Sequence, residues 1–441
     1  MSSFRPGRLV GISVGTVVIL SLGIYGPATL LGPLPRVTAT TVIPASTTAA
    51  PTPPVLSANG ASAITVLAAT TSDASGTIST GTASTSAATA SAATTSTAIP
   101  EPLAVAGTTQ ALPMASIAKV VTALVVLDEK PIVTGESGPV VTLTAADFQS
   151  YLDYDKAGAR SVTVFADEQW TELELLQGLL LGSSNNHADS LARWAFGSVD
   201  AYVVAANAWL AHNGLADTAV VDATGLHDAS AGTATDLARL AGLAAIDPIV
   251  SAMLESPASA LANRRGVQNT TSYLPEEGIT GISRSYTDAA GVCFLFTAEI
   301  SDGASSFTFS GAYIGEPSYD ALTADLTALM ASARTGVGPL PVLAAGDAYA
   351  TFESAWGDDA SAVVGVSRTR YAWQAASPEA ATVTLKDFTT ARTGANIGQV
   401  QLSVAGEKLS AALKLDQAIN DPGVGWRLLH PVMMISALLD Q

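Results

Sequence analysis

The sequence predicts a mixed α/β domain followed by a smaller all-β domain, and three observations lead to this fold class. The apolar run Val120–Leu127 is long enough for a buried helix. Gly291–Ile300 is a continuous apolar segment, as expected for a buried central strand. Beyond a Gly/Pro break at Thr335–Pro339, Ala381–Leu385 and Val400–Val404 alternate polar and apolar residues like half-buried strands. We therefore place a domain boundary between residues 335 and 336.

Residues 1–36 predict a membrane anchor or a signal sequence. Arg5 and Arg8 precede an uncharged stretch from Leu9 to Pro35 that is long enough to span a bilayer. The flanking arginines predict a cytoplasmic N-terminus. We expect a single-pass cell-membrane protein whose remaining chain is extracytoplasmic. A secreted protein is the alternative, because Val37-Thr38-Ala39 offers small residues for signal cleavage.

Two low-complexity segments come next. Residues 37–56 are rich in Thr, Ala and Pro, a composition that predicts a disordered spacer because it cannot form a core. The domain then begins at residue 57, with Ala61–Leu67 as a candidate strand. Residues 68–98 are almost wholly Ala, Ser, Thr and Gly, which predicts a disordered insertion before the next strand, Leu103–Ala106.

Composition excludes several classes of protein. The net charge is −18 with only 20 lysines and arginines, which argues against nucleic-acid binding. Cys293 is the single cysteine, so neither an intrachain disulfide nor a thiolate metal cluster is possible. The four histidines lack metal-ligand spacing. We expect a protein that uses no metal and no cofactor.

The stretch Pro113–Lys119 contains a candidate nucleophile. Ser116 and Lys119 are three residues apart and share one face of a helix. A serine hydroxyl needs such a neighbouring base, and burial lowers the pKa of a lysine towards the neutral amine. The helix N-terminus also offers backbone N–H groups to a developing oxyanion. Ser-x-x-Lys is nevertheless common by chance, so further features must support this interpretation.

A second candidate site lies where two helices are interrupted. Thr171 and Glu174 have the spacing of a capping box that opens an apolar helix through Leu181. The helix ends at Gly182-Ser183-Ser184-Asn185-Asn186, and another follows at Ala188–Phe196. One interpretation is an ordinary helix–turn–helix capped by Ser and Asn. The functional interpretation is a loop that presents a hydroxyl and an amide to a cleft. The other predicted elements of this domain are strands at Pro139–Leu143 and Ser161–Phe165, a helix capped by Thr235 or Asp236 that runs to Ala245, and a helix at Ala321–Ala333.

The order of these features resembles the bacterial D-alanyl-D-alanine carboxypeptidases, which are low-molecular-mass penicillin-binding proteins. The segments that carry the resemblance are PMASIAKVVTALVVLD, LLQGLLLGSSNNHADSLARWAFG, VDATGLHD and NTTSYL. It covers roughly residues 57–335. The resemblance implies the serine β-lactamase fold, an antiparallel sheet flanked by helices with a helical subdomain. A C-terminal all-β domain, here residues 336–441, also suits the family.

The resemblance implies a role for each candidate residue. Ser116 would be the acyl-forming nucleophile and Lys119 its general base. Ser183 would relay a proton to the leaving D-alanine, and Asn185 would hydrogen-bond the substrate amide. The oxyanion hole would use the backbone N–H of Ser116 and one near Tyr286. The implied reaction removes the terminal D-alanine of peptidoglycan stem peptides, and β-lactams would acylate the same serine. Hydrolysis and transfer to an acceptor amine both stay open.

The third family motif, Lys-Thr-Gly, is altered. The flanking sequence puts Ser283, Arg284 and Ser285 on its three positions, with Tyr286 next, and we predict that these four residues bind substrate. Arg284 can bind a carboxylate bidentately, but side chains alternate along a strand, so Arg284 starts on the other face of the sheet from Ser283. It also cannot lose a proton, and Ser285 crowds a position where substrate backbone must approach.

No lysine lies between Lys156 and Lys386, so the missing cation is not simply displaced along the strand. The loss of one such group costs on the order of 100- to 1000-fold in rate. We therefore expect a weakened enzyme. The alternative is a catalytically degenerate protein of the same fold with a cell-wall binding or scaffolding role.

Overall fold

The computed structural model describes residues 26–44, 53–72, 78–82, 102–255, 266–373, 380–404 and 407–439. The helices are α1 Gly26–Leu30, α2 Ala118–Glu129, α3 Ala145–Lys156, α4 Glu172–Leu180, α5 Asn185–Phe196, α6 Val199–His212, α7 Ala234–Ile246, α8 Pro248–Glu255, α9 Tyr319–Gly336, α10 Gly423–Leu429 and α11 Pro431–Leu439. The strands are β1 Thr38–Thr41, β2 Ala61–Ser72, β3 Ile78–Thr82, β4 Ala104–Gly107, β5 Leu112–Pro113, β6 Val140–Thr142, β7 Gln169–Thr171, β8 Ala231–Gly232, β9 Ile279–Thr287, β10 Gly291–Ser301, β11 Ser306–Glu316, β12 Val337–Leu343, β13 Ala348–Glu353, β14 Asp359–Val364, β15 Arg368–Trp373, β16 Thr382–Leu385, β17 Asn396–Val404 and β18 Glu407–Leu415.

The chain forms two compact units. The larger unit contains residues 50–340 and 370–376. The smaller unit contains the described residues of 341–369 and 377–441 together with residues 26–44. The division at Leu340 lies five residues after the boundary that the sequence predicts. The assignment of residues 26–44 to the smaller unit was not anticipated.

An antiparallel sheet divides the larger unit into two layers. Its strand order is β3-β2-β11-β10-β9, and β4 pairs with β2. Cys293 and Leu295 of β10 join the core on the helical side, whereas Phe294 and Phe296 join the core formed with α9. This alternation makes β10 a strand buried on both faces, as the sequence predicts. Because β9 ends the sheet, one of its edges remains available to a cleft.

Helix α2 occupies the centre of the helical layer. Ten of its residues, from Ala118 to Leu127, are buried. A helix that is apolar all round must be enclosed on every side, and α5, α6 and α4 pack around it. The capping box of Thr171 and Glu174 starts α4 as predicted, with the Glu174 carboxylate accepting from Thr171 N at 2.8 Å.

The smaller unit is rich in strands, and this agrees with the predicted all-β domain. Its sheet has the order β1-β13-β14-β18-β17-β16, and all the pairs with a described register are antiparallel. β1 pairs with β13, with Thr38 opposite Glu353, so the predicted disordered spacer is wrong for Thr38–Thr41. The short helices α10 and α11 at the end of the chain were not predicted.

Several boundaries differ from the sequence-based expectations. β2 continues to Ser72 and pairs with β3, so the predicted insertion begins as a β-ladder. Ser161–Phe165 is not a strand. Thr233, not Thr235 or Asp236, caps α7 by accepting from Asp236 N. Helix α5 begins at Asn185 instead of Ala188 because Ser184 is its N-cap residue.

Among the described residues, no single helix is long and apolar enough to cross a membrane. Helices α7 and α8 are together long and apolar enough, but the pair is bent by 85° at the break between them. The inward residues of both helices are part of the core, which explains their apolar composition. The predicted anchor falls largely on residues 1–25, which lie outside the described residues.

Candidate active site

Ser116 lies in a single 3₁₀ turn, Ala115–Ile117, that leads directly into α2. Lys119 Nζ lies 2.7 Å from Ser116 Oγ and 3.1 Å from the carbonyl oxygen of Thr224. The charged amine donates both hydrogen bonds. In the neutral form its lone pair can accept the Ser116 proton along the same line. The structure therefore brings the predicted nucleophile and base into direct contact.

Burial lowers the pKa of Lys119 from 10.5 to about 7. The side chain is only 2 % exposed, so the charged ammonium loses most of its hydration. The negative charges of Asp222 and Asp189 oppose this effect and raise the pKa, whereas the positive charge of Arg160 lowers it. An amine with a pKa near neutrality suits a general base, because a large share of it is unprotonated at working pH.

A tight turn at residues 222–227 holds the carbonyl group that binds Lys119. The Asp222 carboxylate accepts from Gly225 N at 2.7 Å, His227 N at 3.0 Å and Thr224 Oγ1 at 3.0 Å. This fixes the Thr224 carbonyl that binds Lys119. Gly225 has φ +77°, and any Cβ there would collide with the carbonyl oxygen of Ala115. Glycine thus allows this turn to pack directly against the backbone of the nucleophile turn.

Ser183 and Asn185 form the second part of the site. Ser183 has φ +51°, a left-handed conformation that is rare for a residue with a side chain and typical of strained functional positions. Asn185 N donates to the carbonyl oxygen of Arg160 at 2.9 Å. The buried Oδ1 of Asn185 has no hydrogen-bond partner among the described residues. A buried amide oxygen without a partner is well placed to receive an N–H from a bound peptide.

A buried polar chain fixes the conformation of this loop. Ser184 Oγ donates to Asn186 Oδ1 at 2.8 Å, so its single proton is committed. His187 Nδ1, also 2.8 Å from Ser184 Oγ, must then be the protonated nitrogen. Burial lowers the pKa of His187 to about 3, which keeps the ring neutral. Asn186 Nδ2 continues the chain by donating to the carbonyl oxygen of Val162 at 2.9 Å.

Strand β9 forms the third part of the site and runs alongside the Ser116 turn. Ser283 and Ser285 are both buried, opposite Leu295 and Cys293 of β10. The Ser285 hydroxyl has no hydrogen-bond partner among the described residues. Tyr286 is 55 % exposed, and its hydroxyl donates to Asp288 at 3.0 Å.

One cleft contains most of the predicted site residues. Its lining includes Ser116, Lys119, Ser183, Ser283 and Arg284, together with Val120, Leu179, Leu180, Thr270, Thr271 and Ile282. Asn185 is not part of this lining but lies two residues after Ser183, which is. Ser285 and Tyr286 lie on the same strand but do not line this cleft. Among the described residues, no group of three or more His, Cys, Asp or Glu side chains could hold a metal ion.

The sequence-based reasoning missed two residues that organise the site. Asp222 appears there only within the segment VDATGLHD, although its carboxylate accepts the hydrogen bonds that hold the carbonyl that binds Lys119. The signal was available in the Asp-x-Thr-Gly spacing, which is typical of a side chain that caps its own turn. His187 gave no comparable signal, because its contact with Ser184 arises only when α5 is buried.

Comparisons with known proteins agree with this geometry. The sequence model of the peptidase S11 family, described as D-alanyl-D-alanine carboxypeptidase, matches residues 81–305. A D-alanyl-D-alanine endopeptidase of Pseudomonas aeruginosa is 29 % identical over 196 residues, which is 43 % of this chain. The match spans 60 % of that relative's length.

Solved structures share the fold. Penicillin binding protein 5 from Haemophilus influenzae superposes with a TM-score of 0.53 at 18 % identity, covering 84 % of this chain and 99 % of the other. Penicillin binding protein 6B from Escherichia coli gives a TM-score of 0.53 at 16 % identity, covering 85 % and 98 %. These likenesses confirm the predicted fold class.

Proposed function

We propose that this chain, which belongs to the D-alanyl-D-alanine carboxypeptidase family of serine peptidases, removes the terminal D-alanine of peptidoglycan stem peptides through an acyl-Ser116 intermediate. The observation that carries the proposal is the 2.7 Å contact between Lys119 Nζ and Ser116 Oγ, with the pKa of that lysine lowered to about 7. A buried lysine with a pKa near neutrality does little for the stability of the fold, but its neutral amine can act as the base for a nucleophile.

The proposed acylation begins when neutral Lys119 accepts the Ser116 proton. Oγ bonds to the carbonyl carbon of the penultimate D-alanine, and the oxygen takes up the negative charge. The backbone N–H groups of Ser116 and the residue near Tyr286 stabilise that charge. When the C–N bond breaks, the proton passes from Lys119 through Ser183 to the leaving amine. Asn185 holds the substrate amide during this step, and water then hydrolyses the ester.

Labelling with a fluorescent penicillin tests the nucleophile. We expect the chain to form a covalent adduct that Ser116→Ala abolishes. Ser367→Ala, which alters a serine of the smaller unit, serves as the control and keeps the label. The same three proteins are then incubated with a peptide ending in D-Ala-D-Ala, and released D-alanine is measured. An adduct that persists in Ser116→Ala would remove Ser116 from the mechanism.

A second candidate function follows from the altered strand. With Ser283 and Ser285 in place of the motif lysine and glycine, β9 carries no cation at the position of the motif lysine, although Lys119 and Arg284 also line the cleft. A catalytically degenerate protein that binds or organises the cell wall would need the fold but not the chemistry. The absence of any Ser116-dependent adduct at saturating penicillin would favour this function over the enzymatic one.

Carboxypeptidase and endopeptidase activities share the same acyl-enzyme, so the label does not separate them. They differ in the group that leaves, which is free D-alanine in the first case and a longer peptide in the second. We favour the carboxypeptidase. Comparing D-alanine release from a linear stem peptide with cleavage of a cross-linked dimer decides between them, and preferential cleavage of the dimer would overturn the choice.

We also propose that the N-terminal segment attaches the protein to the cell membrane with an extracytoplasmic catalytic domain. The uncharged stretch from Leu9 to Pro35 supports this location. A further support is the apolar surface around α1, α10 and α11, where Leu31, Leu429 and Val432 are each at least 79 % exposed. Full-length protein should sediment with membranes after carbonate extraction, whereas a chain lacking residues 1–36 should not. Recovery of the full-length chain in the supernatant would contradict the proposal.

A further inference from the structure

A segment distant in the chain supports the N-terminal side of the Ser183 loop. Thr270 donates twice to the carbonyl oxygen of Leu181, from its backbone N at 2.9 Å and from its Oγ1 at 2.9 Å. Gly182 packs so closely on Val267 that a Cβ there would lie 2.7 Å from the Val267 Cγ1. Ser183 follows directly, in a left-handed conformation with φ +51°. Such a strained residue keeps its conformation only while its surroundings hold it, and this segment is part of those surroundings.

We call residues 267–271 the bridging segment, because it also contacts strand β9. A Cβ at Gly281 of β9 would collide with the carbonyl oxygen of Thr271, so the two backbones are in direct contact. Arg284 adds a side-chain contact, since its Nε donates to the carbonyl oxygen of Thr270 at 3.2 Å. The bridging segment thus connects β9 to the loop of the proposed proton relay, and Thr270 and Thr271 line the cleft between them.

Two tyrosines hold Arg284 in this position. The central carbon of its guanidinium lies 5.0 Å from the ring centroid of Tyr273 and 5.7 Å from that of Tyr319, both within the range of a cation–π contact. The Tyr273 hydroxyl donates to the carbonyl oxygen of Tyr319 at 3.0 Å. The same hydroxyl lies 2.6 Å from Thr323 Oγ1, one turn further along α9. Arg284 therefore joins three elements, which are strand β9, the bridging segment and helix α9.

These contacts lie on the α9 side of the sheet. Arg284 is opposite Phe294 of β10, whose side chain belongs to the core formed with α9. The guanidinium is held between the tyrosine rings and the Thr270 carbonyl. The side chain therefore acts on the wall of the cleft, through the bridging segment.

We propose that Arg284 is a positioning residue that holds the bridging segment against β9 and thereby keeps Ser183 where it can pass a proton to the leaving group. The inference rests on the proposed function and names a residue on which its proton relay depends. During acylation Ser183 gives its hydroxyl proton to the leaving nitrogen as the C–N bond breaks, and it receives one from Lys119. Without Arg284 the bridging segment shifts, Leu181 moves with it, and this transfer becomes slower.

The test compares two substrates with the same acyl group. One is diacetyl-Lys-D-Ala-D-Ala, and the other is the thioester in which D-2-mercaptopropionate replaces the terminal D-alanine. The amide needs a proton on its leaving nitrogen, whereas the thiolate leaves without one. We expect Arg284→Met to lower kcat/KM about 10- to 100-fold for the amide and less than about threefold for the thioester. Arg284→Lys, which keeps the charge and a donor, should restore most of the amide rate.

Further variants test how Arg284 is held. Tyr319→Leu should lower the amide-to-thioester ratio about three- to tenfold, whereas Tyr319→Phe, which keeps the ring, should leave it unchanged. Arg334→Met is the matched control, because Arg334 links α9 to Glu277, just before β9, and among the described residues has no bond to the bridging segment. A change that only destabilised the fold would lower both rates equally, and thermal unfolding verifies that each variant is folded. An unchanged ratio in Arg284→Met, or an equal fall in Arg334→Met, would overturn the inference.

Hydrogen exchange separates this inference from the proposed function, because it needs no catalysis. Exchange of backbone amides is followed by mass spectrometry in the wild type, Arg284→Met and Arg334→Met. We expect the bridging segment and residues 180–187 to exchange about tenfold faster in Arg284→Met alone. That result supports the inference even where the protein releases no D-alanine. Unchanged exchange in both segments would overturn it even where Ser116-dependent release of D-alanine is observed.

Discussion

The nucleophile turn and strand β9 face the same cleft, yet they are built in opposite ways. Around Ser116 and Lys119 the polar groups are paired, and the Gly225 backbone packs directly on Ala115. On β9 the Ser285 hydroxyl is buried without a partner among the described residues. The first region is fixed by a buried helix and by the paired polar groups around Ser116, whereas β9 is held by its backbone pairing with β10.

This difference between the two regions predicts where substitutions are tolerated. β9 pairs with β10 through backbone hydrogen bonds, which do not depend on the side chains at 283 and 285. A change there alters chemistry and leaves the fold intact. In the nucleophile turn the same atoms serve folding and chemistry, so a change should damage both. Four predictions test this comparison, from the largest expected effect to the smallest.

Replacement of Lys119 should produce the largest loss. Lys119→Arg keeps the charge but cannot become a neutral base, and Lys119→Met removes the amine at similar length. We expect each to slow acylation by penicillin about 10²- to 10⁴-fold. Stopped-flow labelling measures the rate, and circular dichroism verifies that the variants are folded. Near-normal acylation in a folded Lys119→Met would show that Ser116 is activated by another group.

Gly225→Ala should show that the nucleophile turn depends on close backbone packing. The new Cβ would collide with the carbonyl oxygen of Ala115, and the alanine would have to keep the left-handed φ of +77°. We expect a loss of about 3 kcal/mol in the free energy of unfolding, measured in urea. Gly135→Ala is the matched control, because it has φ +89° and open space around it, and should lose about 1 kcal/mol. Equal losses would mean that the backbone conformation, not the collision, sets the cost.

Ser283→Lys should increase the rate of acylation, whereas replacement of Lys119 lowers it. It returns a cation to the cleft beside Ser183 on a strand whose pairing does not change. We expect penicillin acylation to rise about 10- to 100-fold with little change in stability. The measurement compares acylation rates and urea midpoints. A lower rate in a stable variant would show that acylation does not need a cation at position 283.

The pH dependence should show the smallest effect. Neutral Lys119 is the active form, so acylation should rise with pH through a midpoint of about 7 and fall below it. Between pH 6 and pH 8 the rate should increase about tenfold, in proportion to the unprotonated amine. Labelling rates across this range, at constant ionic strength, provide the test. A midpoint near 10.5, the ordinary value, would contradict a base desolvated by burial.

Much of the fold could be predicted because its signals are local. The capping box at Thr171 and the continuous apolar run of β10 are properties of neighbouring residues. The errors occurred where long-range pairing decides. Thr38–Thr41 forms a strand because β13 offers it an edge, and Ser161–Phe165 has strand-like residues but no partner strand.

For the site, the sequence by itself determined the residue types: a serine and a lysine on one helical face, a Ser-x-Asn loop, and a third motif without its lysine. Only the tertiary structure decided how they work. Burial from all sides moves the pKa of Lys119 to about 7, and the Arg284 side chain donates to the carbonyl oxygen of Thr270 and lies over the ring of Tyr273. Solvation and side-chain direction depend on elements distant in the chain, and no local pattern encodes them.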